Sequence, residues 1–232
     1  MIDLRRRITG VDEIMDDLEL PADQLAPVLS GLERLNKWFG GHKTIIKALK
    51  HFPVRANDHV SDWGCGGGDV LRAIAQWAAK KGLPLRYIGI DAAASAVDIA
   101  RERNAGIYNI NYQQADVLNT TLNEQYDVVI SNLFTHHFED EVWVKLIGNM
   151  LRSSRRGVII TDLHRHWLLY YSLQVIFRSI IPNKIMLYDG PLSVRRGFKR
   201  SELKKLLAQA GVTHYQIKWK WAFQWLVVIH KT

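Results

Sequence analysis

From about residue 58 onward, short runs rich in β-branched and aromatic residues alternate with amphipathic stretches, and this alternation restricts the fold more than any other feature. Strand-like runs fall at 59–63, 85–91, 109–114, 126–132 and 157–162, with helical stretches at 70–81, 93–104 and 139–152. Strands that return through a helix each time pair in parallel by right-handed crossovers. A further helix is predicted over 201–210, with Ser201 as N-cap and Gly211 just past its end. The last two strand-like runs, 214–220 and 223–230, are too close for a crossover and predict an antiparallel pair.

Residues 1–53 precede the alternation. Leu25, Val28, Leu29, Leu32, Leu35 and Phe39 recur at helical spacing, Gly40-Gly41 supplies a stop, and a second short helix runs over 42–51. An apolar stripe of this kind needs a partner, so 1–53 reads as a helical cap on a main domain of 54–232. Within that domain, 163–199 replaces what should be a short strand-to-helix connection, at the carboxyl edge of the sheet where open α/β folds bind ligands. It reads as a helical lid. Trp167, Leu168, Tyr170, Tyr171, Leu173, Val175, Ile176 and Phe177 make one piece apolar nearly all round, which predicts burial on every side; 188–198 then returns the chain to the sheet.

The formal net charge of +8 invites an anionic partner, but the basic residues lie in short scattered clusters, which favours a solvated surface over a nucleic-acid footprint. The single cysteine, Cys65, excludes an internal disulfide and any multi-cysteine metal site. There is no apolar N-terminal stretch of signal-peptide length, and the longest charge-free apolar run, 167–177, is too short to span a bilayer. The expectation is a cytoplasmic protein, monomeric or homodimeric. Arg165 and Arg178 flank that run, which suggests a weak membrane-surface contact.

Between the first strand and its helix stands Asp62-Trp63-Gly64-Cys65-Gly66-Gly67-Gly68-Asp69. Glycines here let backbone approach a ligand, and the helix start offers free N–H groups. The dinucleotide pattern G-x-G-x-x-G is broken, since Asp69 holds the third glycine's place. Asp62 and Asp69 would repel a phosphate and attract a ligand with an ammonium or sulfonium centre. Asp91 lies 23 residues beyond Gly68, near the offset of a ribose-binding carboxylate, with Ala92 beside it.

The ordered set Asp62-x-Gly64-x-Gly66-x-Gly68, Asp91, Gln114-Ala115-Asp116-Val117 and Tyr126-Asp127-Val128-Val129-Ile130-Ser131-Asn132 resembles the class I S-adenosylmethionine-dependent methyltransferases. That resemblance implies a Rossmann-like seven-stranded sheet, mostly parallel with its last strand antiparallel, and helices on both faces. It implies that Asp62 and the Gly64-Cys65-Gly66 backbone hold the methionine part of the cofactor S-adenosylmethionine. Asp91 and Ala92 take the ribose, Asp116 and Val117 the adenine, and Asn132 and Leu133 lie beside the methyl. Trp63 replaces the smaller residue more usual there. Cys65 is explained by its size and carries no catalytic role.

Methyl transfer is an in-line displacement that aligns an acceptor and often removes its proton. Ser131-Asn132-Leu133-Phe134 lacks the prolines of base-amine methyltransferases and the cysteine of cytosine-carbon enzymes, which disfavours nucleic acid. The following Thr135-His136-His137 offers two general-base candidates, His137 ahead of His136. Asp162 with His164 is a weak metal pair without a second ligand set, and no metal is assigned. His164, Arg165 and Tyr171 at the lid, and Arg195 (or Arg196) facing an acidic group, are the substrate candidates. The layout resembles small-molecule methyltransferases acting on oxygen, or carbon, of phenolic, polyketide or quinone-like acceptors. An RNA or protein methyltransferase, or a non-catalytic cofactor-binding protein, is the alternative.

Overall fold

The computed structural model describes residues 2–120 and 124–231. Seven strands form one sheet: β1 (His59–Trp63), β2 (Arg86–Asp91), β3 (Ile110–Gln114), β4 (Tyr126–Asn132), β5 (Ser154–Leu163), β6 (Tyr215–Lys220) and β7 (Gln224–His230). Their order is β3-β2-β1-β4-β5-β7-β6. The first five pair in parallel, and β7 lies antiparallel between β5 and β6. Strand order reverses between β1 and β4, which opens a crevice at their carboxyl ends.

Among the described residues, eight α-helices surround the sheet: α1 (Ala22–Trp38), α2 (Gly41–Ala48), α3 (Asp69–Ala79), α4 (Ala94–Arg103), α5 (Asp140–Ser153), α6 (Trp167–Val175), α7 (Lys184–Arg196) and α8 (Arg200–Gln209). The central strands are apolar on both sides because each face carries its own core. On one face α2, α3 and α4 supply Ile45, Leu71, Ile74 and Val97; on the other α5 and α8 supply Trp143, Ile147, Leu203 and Leu207. Trp63 is absorbed into the second core, its indole N–H donating to Ser61 Oγ at 3.1 Å. Gly211, with φ of +71°, ends α8 as expected, but the N-cap is Lys199 rather than Ser201: Glu202 accepts from the Lys199 N–H at 2.7 Å.

The segment 163–199 departs from its sequence reading in two ways. First, the stretch 188–198, expected to return the chain to the sheet, falls mostly within a helix, α7, although Pro191 removes the hydrogen bond to Leu187. Tertiary contacts override that cost. Asn183 caps the helix start, accepting from Met186 N–H at 3.0 Å, and the Asp189 carboxylate accepts the Ile14 and Met15 N–H groups at 2.8 and 3.1 Å. Gly190 lies against the Phe177 ring, where any Cβ would overlap. Second, α6, continued by a π turn over Ile176–Ile180, is not buried all round. Leu169, Leu173 and Phe177 face inward on Val28, Leu35, Met186 and Val194, while Trp167, Leu168, Tyr171 and Val175 are exposed. The N-terminal helices and the lid therefore share one small core above the crevice.

Three arginines are structural: Arg7, from a basic cluster expected on the surface, Arg165, expected to touch substrate, and Arg196, the alternative to Arg195. Arg7 lies over the Phe198 ring at 4.3 Å and donates to Asp140 and to the carbonyls of Arg196, His136 and Phe138. Arg165 is 2% exposed. Arg196 is 7% exposed and salt-bridged.

Candidate active site

The glycine turn after β1 folds as its residues require. Gly64, Gly66 and Gly68 have φ of +71°, +49° and +72°, a region costly for any residue with a Cβ. The turn reverses the chain at the crevice and starts α3 with its N–H groups facing the opening. Above it lies a cavity of about 750 Å3. Asp62 and the Gly64-Cys65-Gly66 backbone line one wall, Asp91 and Ala92 the next, Asp116 and Val117 the far end, and Asn132 with Leu133 the side toward β4. All ten residues singled out for cofactor contact surround this one space.

Its electrostatics are lopsided. Asp62 is 1% exposed and its Oδ1 has no hydrogen-bond partner. Burial, with the charges of Asp69 and Asp91, holds its carboxyl well above the usual carboxylate range. Burial also raises Asp91, although the Gly66 and Ala93 N–H groups donate to it at 2.9 and 3.1 Å. Asp69 accepts from Asn36 Nδ2 at 3.0 Å and meets His42 Nε2 at 2.5 Å. A buried carboxylate without a cation, beside bare glycine backbone, fits a ligand bearing an ammonium and a sulfonium. Burial and the same carboxylates push the Cys65 thiol up, so it is no nucleophile.

Toward β4 the chain turns sharply. Leu133 has φ of +52°, a strained value for a branched residue, held by its N–H donating to Thr161 O at 2.8 Å while Thr161 Oγ1 donates to Asn132 Oδ1 at 2.6 Å. The turn puts Leu133 where the large cavity meets a second, apolar one of about 80 Å3 beneath the lid. His137 lines both. His136 reaches only the smaller one; it is 3% exposed, and its Nδ1 lies 2.6 Å from Asp162 Oδ1, while Thr135 Oγ1 donates to Asp162 Oδ2 at 2.6 Å. Burial would raise Asp162, but His136 and Thr135 hold its carboxyl below the usual range. Asp162 thus orients His136 and does not face His164.

His137 has a partner that no local pattern signals. Its Nδ1 sits 2.5 Å from Asp16 Oδ1, on the 3-10 turn Ile14–Asp16 that crosses the mouth of the crevice. Burial alone would raise Asp16; the hydrogen bond and charge of His137, with Arg196 Nη1 donating at 2.6 Å, hold it below the usual range. Beside them Glu13 is 3% exposed and pushed up to about 7 by burial. Glu13 Oε2 accepts from Ser193 Oγ at 2.7 Å; Oε1 has no hydrogen bond, with Arg196 Nη1 at 3.6 Å and His136 Nε2 at 3.8 Å. Arg196 supplies the positive charge this acidic and imidazole cluster needs.

The four substrate candidates lie elsewhere. His164 sits among Phe223 and Trp225 at the sheet edge, takes a hydrogen bond from Trp219 Nε1 at 3.3 Å, and is pushed down to about 4 by burial. The Arg165 guanidinium donates to the carbonyls of Leu4 and Gly197 and to Glu202, which fixes the chain entry. Tyr171 is on the exposed flank of α6. Arg195 borders neither cavity; its neighbour Arg196 meets the acidic group. Glu13, Asp16 and Gln224 were missed, and Arg196 was named only as the alternative to Arg195. Only the Arg195-Arg196 pair carried a local hint.

Residues 60–157 match the family described as a methyltransferase domain. No curated protein sequence matches the chain. Among solved structures, human N-acetylserotonin methyltransferase in complex with S-adenosylmethionine aligns over 96% of this chain and 60% of its own, with a TM-score of 0.69 and 15% identity. The plantazolicin methyltransferase in complex with S-adenosylhomocysteine aligns over 94% and 99%, at 0.67 and 17%. A methyltransferase from Aquifex aeolicus aligns over 80% and 88%, at 0.59 and 18%. The domain match, together with a seven-stranded sheet whose β7 is inserted antiparallel, supports a class I S-adenosylmethionine-dependent methyltransferase.

Proposed function

We propose that the enzyme methylates oxygen, or carbon, of a hydrophobic hydroxylated small molecule, with His137 as general base. The observation that carries this reading is the His137–Asp16 pair at the junction of the two cavities. A carboxylate held ionised can only accept, so Nδ1 carries its proton and, in the neutral imidazole, Nε2 is the nitrogen with the free lone pair. An acceptor hydroxyl beside Leu133 gives its proton to Nε2 as its oxygen attacks, and Asp16 stabilises the imidazolium that results.

Asp62 and the Gly64–Gly66 backbone hold the methionine part of the cofactor, Asp91 the ribose and Asp116 with Val117 the adenine. Each Asp91 oxygen retains a lone pair for a ribose hydroxyl beyond its backbone bonds. Bound there, the cofactor supplies an electrophilic methyl carbon. The 3-10 turn, α1, α6 and α7 close over the acceptor side and exclude water.

That apolar enclosure supports a small acceptor over RNA or protein. The human neighbour, named for N-acetylserotonin, also acts on a small molecule. Labelled-methyl transfer into an organic extract of a phenol panel tests the reading. Transfer into RNA or protein substrates, with none into phenols, overturns it.

A further inference from the structure

The smaller cavity contains a polar group with nothing to do. Gln224, the first residue of β7, is 2% exposed, and its amide oxygen has no hydrogen bond within the protein. It pairs across the sheet with Leu163, and both side chains line the cavity together with Leu169, Leu173 and Phe177 from the lid. His137 and Glu13 stand on the wall shared with the large cavity. An amide buried among leucines and a phenylalanine is costly unless a ligand pairs with it.

We infer that Gln224 is a specificity residue for a second hydroxyl of the acceptor, distinct from the one that is methylated. This rests on the proposed function and narrows it. The acceptor is an apolar-bodied diol: one hydroxyl meets His137, the body lies against the lid leucines, and the other hydroxyl donates to, or accepts from, the Gln224 amide. A hydroxyl suits either orientation of that amide; a methyl group suits neither.

The test uses isosteric probe pairs, resorcinol against 3-methylphenol and 2,7-dihydroxynaphthalene against 7-methyl-2-naphthol. Binding is titrated by ligand-observed NMR to the full chain saturated with S-adenosylhomocysteine. Each diol is expected to bind about tenfold tighter than its methyl counterpart, the worth of one buried hydrogen bond. Gln224→Met keeps the volume, and the preference should vanish with S-adenosylhomocysteine affinity unchanged. Equal binding of the two members by the native protein overturns the inference, and the native comparison holds even if the variant fails to fold. A preference that survives in Gln224→Met also overturns it. Failure of the native protein to take up S-adenosylhomocysteine is a separate readout that removes the underlying cofactor reading as well.

Discussion

Asp62→Asn should move stability and affinity in opposite directions. Without ligand, Asp62 is a buried carboxyl with an orphaned Oδ1 near Asp69 and Asp91, which raise its pKa together with burial. An acid whose folded pKa exceeds its unfolded one binds more protons when folded between the two values, so stability falls as pH rises through that window. The penalty is absent below the unfolded pKa and complete above the raised one. Removing the charge relieves it. Because Asn still buries an amide, we expect a net gain of about 1–2 kcal/mol above the window, or ~2–8 °C in Tm for a chain of this size. With ligand the sign reverses, since the cofactor's ammonium loses its buried counter-charge. Breaking such a pair costs ~3–5 kcal/mol, a loss of affinity on the order of a hundredfold or more. Native affinity should also rise with pH through the same window, because binding favours the ionised carboxyl. The assays are thermal unfolding without ligand and calorimetry with S-adenosylhomocysteine, each from pH 5 to 8.5. A variant that is less stable and binds as tightly as the native protein, with an unchanged pH slope, refutes the reasoning.

Three other outcomes follow from the geometry. His137→Gln should lower turnover by roughly 10²–10⁴ and leave S-adenosylhomocysteine affinity intact, with Asp16→Asn reproducing a smaller part of the loss; calorimetry and labelled-methyl transfer separate the two effects. Arg165→Met should destabilise by roughly 3 kcal/mol, measured by urea unfolding, because the buried guanidinium holds Leu4, Gly197 and Glu202 together rather than touching substrate. The exposed Trp167, Leu168, Tyr171 and Val175 should carry the protein upward with anionic vesicles in a flotation gradient at low salt, and Val175→Glu should release it.

Much of the fold could be read from local pattern because strand and helix periodicity is a local property. Each of the seven strands coincides with an expected run to within three residues at either end, and the closing antiparallel pair follows from the short connection before Gln224. The lining of the large cavity was equally legible. Asp62, the glycines, Asp91 and Asp116 each stand at the carboxyl end of a strand, and a parallel sheet brings those ends to one edge whatever the loops do. The lid was not. Asp189-Gly190-Pro191 has turn chemistry, and only its contacts with Ile14, Met15 and Phe177 make it helix.

The sequence by itself determined the strands, the closing antiparallel pair and the carboxylate-ringed turn, since short-range periodicity and strand-end position suffice for these. The tertiary structure alone decided the acceptor side. His137 meets Asp16 across 121 positions, Arg196 joins them from α7, and Gln224 turns inward from a strand that reads as uniformly apolar. Long-range pairings of this kind carry no periodic trace. They arise when separate elements bury their faces on a common core, and that packing cannot be read from neighbours in sequence.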